Sequence, residues 1–154
     1  MLILFCLFIL GCETGTNPAD NYPAGLYPFI DEKQIAIMAL VNGERRKAGV
    51  PELTAIAPLS QAAMIRAKEL TASFSHTRPD GKSCFTVLSE NGIQYKSAGE
   101  NIAMGQRTAE AVMNSWMNSS GHKNNILNPK FTMLGVGHYS QNNTTYWVQL
   151  FISQ

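Results

Sequence analysis

Between Ile30 and Ala48 the apolar residues fall at positions 30, 35, 37, 38, 40 and 41, while Asp31 and Glu32 stand at the start and Arg45, Arg46 and Lys47 at the end. That charge order suits a helix dipole and the apolar spacing predicts a helix, which Gly49 stops. Leu59 to Ala72 reads as a second helix, and its alanines 62, 63 and 67 let it approach a neighbour closely. Ser83 to Asn91 is a short third helix ended by Gly92. Thr108 to Asn118 is a fourth, with Thr108 as N-cap and Glu110 in the first turn. The period then changes. Phe131 to Tyr139 and Thr145 to Ile152 are β-rich runs separated by Ser-Gln-Asn-Asn, a hairpin turn. Helices first and an antiparallel pair last predict an α+β domain rather than a parallel doubly wound sheet. Trp116, Trp147, Tyr139 and Tyr146 follow the helix or strand period and are expected to fill core. His138 has no evident partner and is expected to be exposed or packed.

The beginning of the chain has a different pattern. MLILFCLFIL is an uninterrupted apolar run of ten residues, too short to cross a bilayer as a helix but suited to the apolar region of a signal peptide. Ile9-Leu10-Gly11-Cys12 resembles the lipobox at which bacteria cleave a lipoprotein before a lipidated cysteine. The expectation is a signal peptide over 1–11, then lipidated Cys12 and a flexible tether over 12–26, rich in Gly, Pro, Asn and Asp. One globular domain follows over 27–154. Of the three cysteines, that leaves only Cys84 in the domain, so no disulfide forms within it.

The length of 154 residues supports one domain with a sizeable core. Twelve Lys and Arg against eleven Asp and Glu leave a formal charge of +1, without a basic block. Binding to nucleic acid by long-range electrostatics is not expected.

No HExxH, CxxC pair, GxSxG elbow, P-loop or GxGxxG occurs. What remains is a set of single polar residues read as lying in loops: His76 in FSHTRPDG, Glu100 in AGENIA, and Ser119 and His122 in NSSGHKNN. Two histidines and a carboxylate are the types that bind zinc or transfer protons. The Arg-Pro-Asp-Gly turn beside His76 has the means to hold it rigidly. Pro79 presets its own φ and restricts Arg78, Gly81 can take a positive φ, and Asp80 can bond nearby amides.

The ordered series VNGERRKAGVPEL, FSHTRPDG, SAGENIA, SWMNSSGHKNNILNP, FTMLGVG and YWVQLF resembles the bacterial branch of the CAP superfamily (cysteine-rich secretory, antigen 5 and pathogenesis-related proteins) across about residues 33–152. The resemblance implies a three-layer α-β-α sandwich with a small, mostly antiparallel central sheet. It implies that His76 and His122 face each other across a cleft, with Glu100 as the first acid and a divalent metal, most naturally zinc, between the histidines. The second acid of the family pattern falls at Ser119, an uncharged hydroxyl. Asn42 and Arg45 match the family's Asn-x-x-Arg helix pattern, for which a structural hydrogen-bonding role is expected. Cys84 is expected to be a small packing residue.

The function so implied is that of a lipid-anchored, extracytoplasmic binding or interaction module at an outer membrane or cell surface. Its partners are the membrane and an extracellular protein, peptide or lipid. Two other readings use the same domain: a metal-assisted hydrolase, peptidase-like, in which His76 and His122 hold zinc and Glu100 activates water, and lipid or sterol carriage. A purely structural His–Glu contact that stitches loops to the sheet is the remaining alternative for His76.

Overall fold

A computed structural model describes residues 31–154. The expected signal segment, Cys12 and the expected tether lie outside the described residues. Five helices and four strands follow in the order α1 (Glu32–Lys47), β1 (Thr54–Ala55), α2 (Ala57–Glu69), α3 (Thr86–Glu90), β2 (Ser97–Met104), α4 (Ala109–Met117), α5 (Ser120–Ile126), β3 (Met133–Gln141) and β4 (Thr144–Ser153).

The helix ends form where the local chemistry directs. Asp31 caps α1 by accepting from the Gln34 N–H, and the Gln34 side chain returns the bond to the Asp31 backbone, a complete capping box. Gly49 takes φ +71° just beyond the C-cap. Thr108 caps α4 as its sequence predicts. The β3–β4 hairpin turns through Asn142 and Asn143, both with positive φ, the geometry that tight hairpins need.

The sheet order is β1-β3-β4-β2, with β3–β4 and β2–β4 antiparallel and β1–β3 parallel. Strand β4 is covered on both sides. Val148, Leu150 and Ile152 pack with Leu59, Ala62, Ala63 and Ala67 of α2 and with Val87 and Leu88 of α3. Trp147 and Phe151 pack with Ile37, Met38 and Val41 of α1, with Val112 and Trp116 of α4, and with Ile126 of α5. Helices on both faces of one small mixed sheet make the three-layer α-β-α sandwich that the sequence resemblance implies.

The α2 layer lies unusually near the sheet. A Cβ added at Gly135 would sit 2.3 Å from the Leu59 carbonyl carbon, and one at Gly137 2.2 Å from that of Ala63. Two glycines on the strand and small alanines on the helix therefore bring backbone against backbone, which is the close approach expected of the alanine-rich helix.

Three elements depart from the sequence-based expectation. The AGENIA segment is a strand, β2, and not a loop. His122 sits within helix α5, not in a loop, and Ser119 is that helix's N-cap residue. The two-residue strand β1 has no signal in the hydrophobic pattern.

Candidate functional site

The turn after α2 presents His76 much as its residues require. Gly81 adopts φ +82° and donates to the Arg78 carbonyl at 2.9 Å, while the Asp80 carboxylate accepts from the Lys82 N–H at 3.0 Å. Thr77 bridges to Ser83, and the Cys84 N–H donates to the His76 carbonyl at 3.1 Å. The turn thus folds Cys84 back beside His76.

Glu100 projects from β2 toward the α2 layer, and its side chain is 1% exposed. Arg66 of α2, itself fully buried, donates from Nε to Oε2 at 2.8 Å and from Nη2 to Oε1 at 3.3 Å. The His76 Nδ1 bonds Oε1 at 2.8 Å. Both carboxylate oxygens are therefore engaged, and Nε2 is the His76 nitrogen left for a ligand. The imidazole is 57% exposed.

Behind this contact runs a chain of alternating charges. Arg66 also meets Glu69 at 2.7 Å, Glu69 meets Arg78 at 2.6 Å, and Arg78 meets Glu90 at 2.8 Å. Burial pushes the Glu69 carboxyl up, but its hydrogen bonds to Arg78 and Arg66 outweigh that and hold it below the usual range. Burial pulls the Arg66 guanidinium down, and its bonds to Glu100 and Glu69 more than reverse the effect. The Glu69 hydrogen bond leads the causes that raise Arg78.

Cys84 is 4% exposed and joins the polar group. One ligand atom each from His76, Cys84 and Glu100 lie within 4.8 Å of one another. Burial first, and then the nearby Glu100 charge, push the thiol up to about 12. It is protonated at neutral pH, so becoming a thiolate ligand requires a cation to displace its proton. The packing role expected for Cys84 holds, but its place in this group was not anticipated.

His122 comes from the opposite layer. Its carbonyl accepts from the Asn101 amide at 3.1 Å, and Asn101 also donates to Gln149 Oε1 at 2.9 Å. Burial and then the His76 charge lower the His122 imidazole from its ordinary value, which favours the neutral form that ligates metals. His122 is not part of the 4.8 Å group; its link to that group is the electrostatic one with His76. Ser119 makes no side-chain cap bond to α5 and is half-buried.

A cleft of about 360 Å³ opens at this place, lined by His76, Cys84, Phe85, Ala98, Gly99, Glu100 and Asn125. Asn125 joins its two walls by donating to the Glu100 carbonyl at 3.3 Å and to Asn101 Oδ1 at 2.9 Å.

The helix that carries His122 is held from a distance. Arg45, fully buried, donates to the carbonyls of Pro51, Ile126, Asn128 and Phe131. Asn42 exchanges two bonds with the Leu53 backbone. Both have the structural role expected of them. Arg66, Glu69 and Glu90 escaped sequence reasoning because their spacing is that of ordinary solvated helix charges, and Arg78 was read only as a turn residue restricted by Pro79. His138 also has a partner that was missed: its Nε2 meets the Asp31 carboxylate at 2.6 Å while its ring lies 5.3 Å from that of Trp147.

The model of the cysteine-rich secretory protein family (CAP) matches residues 38–151. The uncharacterized protein YkwD of Bacillus subtilis (strain 168) is 39% identical over 90% of this chain and 52% of its own length. The crystal structure of an extracellular protein containing an SCP domain from Bacillus anthracis superposes with a TM-score of 0.74 at 31% identity, covering 79% of this chain and 40% of that one. The zinc-bound structure of NaASP2 superposes with a TM-score of 0.60 at 16% identity, covering 84% of this chain and 82% of that one, a likeness of fold alone. The chain spans about half the length of YkwD and two fifths of the Bacillus anthracis protein.

Proposed function

Since the chain belongs to the cysteine-rich secretory protein (CAP) family, we propose that it is an extracytoplasmic binding module, lipid-anchored at Cys12, whose cleft holds a divalent cation at His76 and His122. The observation that carries this reading is the His76–Glu100–Arg66 arrangement. A carboxylate that bonds one ring nitrogen of a histidine fixes its tautomer and leaves the other nitrogen as an acceptor, the support that ligating histidines require. The depressed basicity of His122 adds a second neutral imidazole. Imidazole donors with a thiol close by suit zinc better than magnesium or calcium. A cation there would supply Lewis acidity or an electrostatic anchor for a ligand.

Binding is preferred to hydrolysis because of Glu100. With Oε2 on Arg66 and Oε1 shared by His76 and Arg66, that carboxylate is placed to orient the histidine rather than to take a proton from water. The extracellular character of the Bacillus anthracis protein supports an export route. Among the described residues no helix is long and apolar enough to cross a membrane.

Zinc titration by calorimetry tests the metal site. His76→Ala and His122→Ala should each remove binding, and Glu100→Gln should weaken it roughly 10–100-fold, the range for loss of such a supporting partner. Unchanged affinity in both histidine variants would overturn the reading. Mass spectrometry of the native protein tests the anchor, which requires a diacylated Cys12 and no peptide from residues 1–11.

A further inference from the structure

The cleft runs along an open sheet edge. Strand β2 is the last strand of the order β1-β3-β4-β2, so among the described residues only one of its sides is paired. In an antiparallel ladder alternate residues turn both backbone groups toward the partner and the others turn both away. The Gly105 N–H bonds the Thr145 carbonyl, which extends the β2–β4 register and assigns the odd-numbered residues of β2 to the ladder. Ala98, Glu100 and Ile102 therefore turn their amides outward.

Two of those outward carbonyls already have side-chain partners. Asn125 Nδ2 donates to Glu100 and the Trp116 indole N–H donates to Ile102, each at 3.3 Å. Nearer the strand's start, the Ala98 N–H and C=O and the Glu100 N–H have no partner among the described residues. This short donor–acceptor–donor row borders the cleft, in which Ala98, Gly99 and Glu100 form one side.

We propose that the cleft binds an extended peptide segment of another protein, which adds to the sheet beside β2 through the Ala98 N–H, the Ala98 C=O and the Glu100 N–H. The inference rests on the cleft being the binding site argued above, and it names the class of partner. A side-chain ligand would leave three main-chain groups unmatched, whereas an extended backbone has the donors and acceptors at the spacing they require. Side chains of an added strand alternate between faces. One set meets His76, Cys84 and the ring of Phe85, and the other meets Asn125. The Asn125 bond to the Glu100 carbonyl marks where pairing ends, so the contact is two to three residues long. The recognised sequence therefore has an apolar side chain toward Phe85 and a hydrogen-bonding one toward Asn125.

The test uses the full chain and a phage-displayed library of random heptapeptides, followed by synthesis of the most enriched peptide. A scan of single N-methyl groups along that peptide should weaken binding at one position, the amide that donates to the Ala98 carbonyl. That position should lose roughly tenfold, the size of one main-chain hydrogen bond. Ala98→Pro removes an outward N–H without touching the ladder, a position where an edge strand accepts proline. It should cost a similar factor with zinc affinity unchanged. Enrichment of no peptide, or a scan in which no single N-methyl group weakens binding or all weaken it alike, would overturn the proposal. So would an Ala98→Pro variant that is folded by circular dichroism and binds normally. If that variant does not fold, the N-methyl scan on the unaltered chain decides. Binding that emerges only after residues 1–30 are removed would assign the edge to the chain's own leading segment and also overturn it. Zinc titration of the same samples separates the two readings: peptide binding with the single N-methyl-sensitive position but without zinc affinity removes the metal and keeps the peptide.

Discussion

The two faces of the central sheet are built by opposite means. On the α2 face, small residues let the helix backbone touch the strand, with Gly135 and Gly137 under Leu59 and Ala63. The polar groups there are full charges joined in a series from Glu90 to Glu100, which the His76 imidazole then meets. On the α1 face, bulk fills the space. Trp116, Trp147 and Phe151 are at most 1% exposed, and Phe131 stacks on Phe151 with ring centroids 5.6 Å apart. The buried polar groups of that face are amides, Gln34, Asn42, Asn101 and Gln149, plus Arg45 bonded to backbone carbonyls. Close packing of backbones leaves no room for error but requires little side-chain volume, whereas aromatic packing tolerates shifts and depends on volume. The two candidate ligands, His76 and His122, come from opposite sides of this division.

The largest break should come from Arg66→Ala. It leaves Glu100 buried without its cation, and losing one partner of a buried pair costs about 3–5 kcal/mol. Urea denaturation measures the loss, and the His76 imidazole resonances should broaden or shift in what remains folded. Next in size is a reciprocal pair of changes. Phe151→Ala should cost about 3–5 kcal/mol by leaving a cavity. Gly137→Ala should cost about 1–3 kcal/mol or more by pushing α2 off the sheet. Equal tolerance of one added carbon on both faces, for example Gly137→Ala against Val112→Ile, would remove the contrast.

A smaller effect is expected at the start of α1. Asp31→Ala removes the N-cap and the His138 contact together, for about 1 kcal/mol. Asp31 would be raised by burial, but its bonds to His138 and to the Gln34 N–H hold it below the usual carboxylate range. Its stabilising contribution is thus present above the unfolded carboxylate value and lost as pH falls through the native one.

The smallest effect should be the pH dependence from His122. Its imidazole takes up a proton less readily in the folded state than in the unfolded chain, where the value is about 6.5. Protonation therefore favours unfolding: stability is full above about pH 6.5 and declines as the pH falls through the window down to the native value. His122→Gln should flatten the urea midpoint between pH 7.5 and 5. Retention of the full slope in that variant would assign the window to other groups.

Helices α1 and α4 and the β3–β4 hairpin were legible because their signals are local: Asp31 and Thr108 as caps, the basic last turn of α1, and the Asn-Asn turn. Strand β2 was not. Ser-Ala-Gly-Glu-Asn-Ile-Ala-Met has one β-branched residue, and its central polar pair is paid for by Arg66 and Gln149, 34 and 48 residues away. Helix α5 has little apolar period beyond Ile126 and is held by Arg45 from the first helix. At the site, the motif resemblance supplied His76, Glu100 and His122, and the turn chemistry explained how His76 is held. The charge relay behind Glu100 and the nearness of Cys84 depend on contacts across layers, which no local spacing encodes.

The sheet's borders have a consequence for how copies of this protein behave at high concentration. An exposed strand flank is a template on which another copy can pair. At the β1 flank the strand is two residues long, and beyond it the Val136 carbonyl accepts from Gln34, the Val136 N–H meets Ser60 Oγ and the His138 N–H meets Met64 Sδ. At the β2 flank, Asn125 and Trp116 occupy two carbonyls in the same way. Side chains borrowed from the helices thus interrupt both flanks before a run long enough for self-association can form. Trp116→Phe, which keeps a smaller aromatic ring and gives up the N–H, frees one of those carbonyls and should lower the concentration at which the protein begins to aggregate.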